Sequence, residues 1–181
     1  MAVNMKSIGI NNVSMGKAPA TSFRFFRLNV QVWVGDACRV EALRPRVGST
    51  NYPSDATHMI TNTNPYPLVA SASSYDTYYP GFPAWQAFAT TPGSGSLIRW
   101  ICDPSDLTPW LQIDLGAGNE ITPTAVLICP DGDSGSLRYI QNFTFSGSNT
   151  GAFTGEQTLF YTSATLSNSF WTASLPVVFT F

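Results

Sequence analysis

FRFFRLNVQVWV, residues 23–34, alternates with a period of two. Phe26, Leu28, Val30, Val32 and Val34 fall on one face, and Arg27, Asn29, Gln31 and Trp33 on the other, the pattern of a half-buried strand. Such a strand needs neighbours, because an isolated hairpin is marginal in water. Only residues 1–22 precede it, and they are polar and small with no sustained period. The segment therefore predicts a strand inside a sheet supplied by later residues, with the terminal PVVFTF (176–181) running close by. Exchange of the strand with a neighbouring subunit would satisfy the same requirement.

Working outward, ACRVEALR (37–44) alternates Val40 and Ala42 with Arg39 and Glu41, which predicts a hairpin with the first strand through Gly35-Asp36. From Pro45 to about Pro67 the chain reads as turn chemistry. LVASASS (68–74) is a short strand that runs into the aromatic-rich SSYDTYYPGFPAWQAF (73–88), whose end can form one turn of helix. PWLQIDLGA (109–117) is the clearest strand after the first, with Leu111, Ile113 and Leu115 on one face. ITPTAVLICP (121–130), NFTFSGS (142–148), QTLFYTS (157–163) and PVVFTF complete the set. About eight short strands without a long helix predict an all-β sandwich or jelly roll, with residues 1–22 as an arm and 23–181 as one domain.

Composition narrows the function. Charged residues make up 11% and the formal net charge is −2. The two lysines, Lys6 and Lys17, lie in the first twenty residues, and no basic cluster follows, which argues against nucleic acid as a partner. No apolar run reaches the ~18 residues of a membrane span, and the N-terminus has no apolar core of a signal peptide. Cys38, Cys102 and Cys129 have no metal-ligand spacing and read as buried thiols of a protein made in a reducing cytoplasm.

Catalysis is poorly supplied. His58, the single histidine, lies in the polar loop PSDATHMI with Ser54 and Asp55, but a Ser-His-Asp set is defined by geometry rather than spacing, and the Gly-x-Ser-x-Gly elbow is absent. Asp103 with Asp106, and Asp131 with Asp133, are candidate carboxylate pairs for glycoside hydrolysis. Both sit in turn-like segments where Asp bonds its own backbone. DGDSGS (131–136) spaces two aspartates like the start of a calcium loop but lacks the later glycine and glutamate of an EF-hand. No catalytic residue or metal ligand is assigned.

The order of motifs resembles a family. PWLQIDLGA is similar to the central strand signature of discoidin-like (coagulation-factor C-type) domains of the galactose-binding jelly-roll superfamily. ASASSY (70–75) resembles the opening Ala-Ser-Ser strand, AWQAF (84–88) the Ala-Phe loop, and LIRW (97–100), NFTFSGSNTG (142–151) and Trp171 follow in sequence. FRFFRLNV with ACRVEALR resembles the strand pair that normally closes such a domain, placed first here. That rotated order resembles discoidin-like modules of phage virion proteins. The resemblance implies a galactose-binding-like jelly roll, a non-enzymatic virion protein made in the host cytoplasm, and a tail- or fibre-associated part that binds host-surface carbohydrate. Its alternative is a capsid decoration or adaptor that binds no glycan. Other virion proteins would be met through the arm, and fibre analogy implies a homo-oligomer, by preference a trimer. Members can carry a structural calcium ion, but the family's Asp-Gly after the Ala-Phe pair reads Ala89-Thr90 here, so no cofactor is assigned.

For a carbohydrate the residues to watch are Tyr75, Tyr78, Tyr79, Phe82 and Trp85, whose rings can stack on sugar faces while hydroxyls meet the polar edges. Arg99, Asp103 and Arg138 lie on segments that the family places in other loops, some of which cluster at one end of the sandwich. The same rings could instead pack a loop on the core or form a subunit contact, and Arg138 reads equally as half of a rim ion pair.

Overall fold

The computed structural model describes residues 22–77, 81–89, 98–130, 138–171 and 175–181. Among these residues eleven strands run in chain order: β1 Phe25–Val34, β2 Arg39–Val40, β3 Ala42–Val47, β4 Thr50–Asn51, β5 Val69–Ala72, β6 Trp100–Ile101, β7 Trp110–Asp114, β8 Ala125–Cys129, β9 Tyr139–Ser148, β10 Thr158–Thr162 and β11 Val177–Thr180. Two 3₁₀ turns, Ala84–Phe88 and Asn168–Phe170, are the helical pieces among the described residues. The architecture is all-β and sandwich-like, with one sheet ordered β10-β9-β1-β7-β5 and another ordered β11-β8-β3-β4. Every pairing among these strands is antiparallel.

The first strand finds its neighbours far downstream. β1 lies between β7 and β9, with Phe25 opposite both Asp114 and Ser148. Its inner side chains Phe26, Leu28 and Val30 are buried, and Phe26 stacks on Phe145 with ring centroids 6.0 Å apart. The facing sheet contributes Leu43, Val126, Ile128 and Phe179 to the same core. Phe143 of β9 and Phe179 of β11 meet edge to face at 5.0 Å, so the end of the chain packs across the core from β1. Edge-to-face geometry places the positive ring edge against the partner's negative face.

Three expectations need correcting. The alternation of β1 does not run to its end: register shifts on both sides of Val32, between Val30 and Val32 and between Val32 and Trp33, interrupt it. A bulge sets two residues against one, and a one-residue change of phase exchanges the faces. Val32 is accordingly 42% exposed, whereas Trp33 packs on the core. β1 and ACRVEALR do not form a hairpin. The chain leaves the first sheet after Val34, pairs β2 with β6, and enters the second sheet as β3 beside β8. Pro45 is not a breaker but a strand residue opposite Val126, and its carbonyl accepts from the Tyr52 amide at 2.9 Å.

The outer face of the first sheet is covered as well. Arg24 grips Asp114 through two bonds of 2.5 and 2.6 Å. Arg27 donates twice to Gln112 and lies between the rings of Trp110 and Phe153, each centroid 4.1 Å away. Gln112 and Asp114, on the polar face of β7, are therefore buried.

Candidate functional site

β1 fixes two ends of the molecule about 30 Å apart, from its ten residues at ~3.3 Å each. Near Val34 the chain segments around Asp36, Thr77, Arg99 and Arg138 converge, because Val34 pairs with Tyr139 and Ala72 of β5 pairs with Leu111 near the start of β7. They enclose a cleft of about 780 Å³ lined by Asp36, Arg39, Asp76, Thr77, Phe82, Arg99, Ile101, Pro104 and Arg138. That volume is in the range of small-ligand sites.

β6 is the scaffold of this cleft. The Asp76 amide donates to the Ile101 carbonyl at 2.9 Å, and the Ile101 amide donates to the Phe82 carbonyl at 3.4 Å. The Cys102 amide donates to the Cys38 carbonyl at 3.0 Å, and the Cys38 amide to Cys102 Sγ at 3.1 Å. Burial pushes the Cys38 thiol up, reinforced by its contact with Cys102. The Arg99 amide donates to Gln86 Oε1 at 3.2 Å, which ties the cleft to the Ala84–Phe88 turn. At the rim, Arg138 holds Asp36 through Nε–Oδ1 at 2.8 Å and Nη2–Oδ2 at 2.9 Å, and Arg39 reaches the same carboxylate at 3.4 Å.

Behind Pro104, Ser73 and Ser74 donate to Asp106 Oδ2 at 2.5 and 2.7 Å, and the Thr108 amide donates to Oδ1. Burial alone would raise the Asp106 carboxyl, but these bonds outweigh it and hold it below the usual range. Asp103 Oδ1 accepts from the Ser105 hydroxyl and amide, which lowers its carboxyl too. Both aspartates thus build the 103–108 turn. Asp131 and Asp133 lie outside the described residues.

The site expected from sequence is only partly assembled here. Phe82, Arg99 and Arg138 line the cleft. Tyr75 is 48% exposed and lies outside the lining. Trp85 packs on the core, its amide donating to Asn62 Oδ1, and Asp103 is turned into its own loop. Tyr78 and Tyr79 lie outside the described residues, as does the arm up to residue 21. Asp36, Arg39, Asp76 and Thr77 join the cleft without having been singled out. Asp36 had only a turn signal, and Arg39 looked like the polar side of a strand.

No family model, curated protein or solved structure matches this chain.

Other candidates are placed elsewhere. His58 is exposed, while Ser54 Oγ pairs with Thr57 and Asp55 accepts from Asn51. Among the described residues no three His, Cys, Asp or Glu side chains gather as a metal site. At the far end, a cleft of about 310 Å³ lies between Tyr52, Pro65 and Tyr66 on one side and Leu115, Asn119 and Ile121 on the other. The 780 Å³ cleft combines charged forks, carboxylates, a hydroxyl and an aromatic ring. Such a set can bind the polar edges and the flat face of a small ligand together.

Proposed function

We propose that the chain is a non-enzymatic, discoidin-like jelly roll of a phage virion whose end cleft binds carbohydrate on the host surface, as part of a tail or fibre. The observation that carries the binding reading is the cleft itself, where Phe82, partly buried against the core, joins the lining beside the polar groups of Arg99, Arg138, Asp36 and Asp76. Sugars bind in this way, with apolar faces on rings and hydroxyls shared among charged donors and acceptors. The virion assignment rests on the sequence resemblance and its rotated strand order. Carbohydrate binding is tested by a glycan array or bacterial-cell pull-down with wild type and Phe82→Ala. Loss of binding in the variant, with an unchanged circular dichroism spectrum, is the expected result. Equal binding by both proteins, or binding by neither, would remove the proposal.

A purely structural virion role is favoured by the opposite end. Tyr66 stands 92% exposed beside the smaller cleft, and large exposed rings suit assembly contacts. Under that reading, deletion of residues 1–20 abolishes incorporation into particles while Phe82→Ala leaves incorporation intact.

A further inference from the structure

Lys and Arg together number nine, and Lys6 and Lys17 are the only lysines, which leaves seven arginines in a chain of net charge −2. Their distribution is uneven. Arg24 is committed to Asp114, and Arg27 to Gln112 and two rings. Arg44 is buried on the Leu43 and Ala87 carbonyls, and Arg46 donates to the Ser49 carbonyl. The other three, Arg39, Arg99 and Arg138, all line the one cleft, against the carboxylates of Asp36 and Asp76. Among the described residues the lining therefore carries an excess of one positive charge on a protein that is negative as a whole.

The protein already shows how this wall receives an anion. Arg138 presents a two-pronged fork to the Asp36 carboxylate, with Arg39 on the same group. Guanidinium matches carboxylate and phosphate in just this planar, bidentate manner, and keeps its charge at any working pH. Arg99 is 5% exposed, so its charge acts from a wall where water screens it less than at the rim. Phe82, Ile101 and Pro104 supply apolar surface beside these forks.

We infer that the cleft prefers a saccharide bearing an anionic group, a carboxylate or a phosphate, over the corresponding neutral sugar. The inference rests on the carbohydrate-binding reading above. The anionic group shares the forks of Arg39, Arg99 and Arg138 while the sugar ring lies against Phe82. Asp36 then acts as a competitor, a tethered carboxylate on two of the forks.

The test is titration calorimetry of the full chain with four probes: trigalacturonic acid, neutral galactotriose, galactose 6-phosphate and galactose. Inorganic phosphate serves as the control. At low salt at least one acidic sugar binds about tenfold more tightly than its neutral counterpart, the effect of roughly one solvent-discounted charge-assisted bond. Which acidic sugar gains identifies the source of the anion. The advantage shrinks as sodium chloride is raised. Arg138→Gln removes most of it, and Asp36→Asn increases it by releasing the forks, whereas a merely structural ion pair would lose affinity in both variants. Arg138 and Asp36 are partly exposed, and melting temperature checks that both variants fold.

Equal affinity for charged and neutral sugars, both abolished by Phe82→Ala, would overturn the anionic preference and leave carbohydrate binding standing. Failure of all four sugars would overturn the carbohydrate reading as well. Binding of inorganic phosphate as tight as that of galactose 6-phosphate would overturn the saccharide part.

Discussion

Phe26→Ala tests the placement of β1 at the centre of the larger sheet. The ring is wholly buried and stacks on Phe145 at 6.0 Å and Phe160 at 6.4 Å. Losing its transfer free energy costs about 2–3 kcal/mol. The cavity left between two rings anchored on β9 and β10 adds to this, for a total of about 3–5 kcal/mol. For a domain of this length that corresponds to a fall of roughly 10 °C in Tm. Val32→Ala is the internal control, because the bulge turns Val32 to solvent and its truncation should cost under about 1 kcal/mol. Urea unfolding, followed by tryptophan fluorescence, measures both from the shift in midpoint at constant slope. A Phe26→Ala loss below about 1 kcal/mol, or a Val32→Ala loss equal to it, would refute the central placement or the bulge.

Two other predictions are independent of function. Gly147→Ala should be destabilising by about 1–3 kcal/mol as an overpacked site, because its Cβ would lie 2.7 Å from Phe160 and 2.9 Å from Phe23 ring carbons; a thermal shift assay reads this, and an unchanged Tm counts against the packing. Acid should destabilise the fold. Desolvation would raise the carboxyls of Asp106 and Glu156, but hydrogen bonds outweigh it and hold both below their ordinary values. The folded state thus binds fewer protons than the unfolded chain, so this stability is present above about pH 5 and lost as pH falls through about 4 and below. Melting from pH 7 to pH 3 should show the decline, with a shallower slope in Asp106→Asn; parallel slopes would contradict it.

Local pattern revealed strands more readily than their partners. The alternation of Phe26, Leu28 and Val30 exposed β1, and the same period exposed β7, because one face of each meets the core. Alternation cannot say which strand lies alongside, so ACRVEALR suggested a hairpin although the chain crosses to other sheets. The bulge after Val30 had no signal in side-chain type. Pro45 misled because a missing amide usually ends a strand. Part of the cleft was legible: Phe82, Arg99 and Arg138 were drawn out by ring chemistry or by the family resemblance. Asp36, Arg39 and Asp76 were not, since their convergence depends on the pairing of β2 with β6 and of β1 with β9. Tyr75 and Trp85 were drawn out by the same ring chemistry, and neither lines the cleft. Whether a ring faces core, cleft or solvent is decided by tertiary packing.

The position of β1 also orders events in time. Its hydrogen-bonding partners arrive as late as Ser148, separated from it by on the order of a hundred residues, and such non-local closure slows folding. At a synthesis rate of about 5–20 residues per second, this apolar ribbon waits about 5 to 25 seconds for the strand that shields its second edge. During that wait a nascent chain shows an unpaired β edge to every other copy being made. Yield in the producing cell should therefore respond to chaperone supply and temperature more steeply than the stability of the finished molecule would suggest.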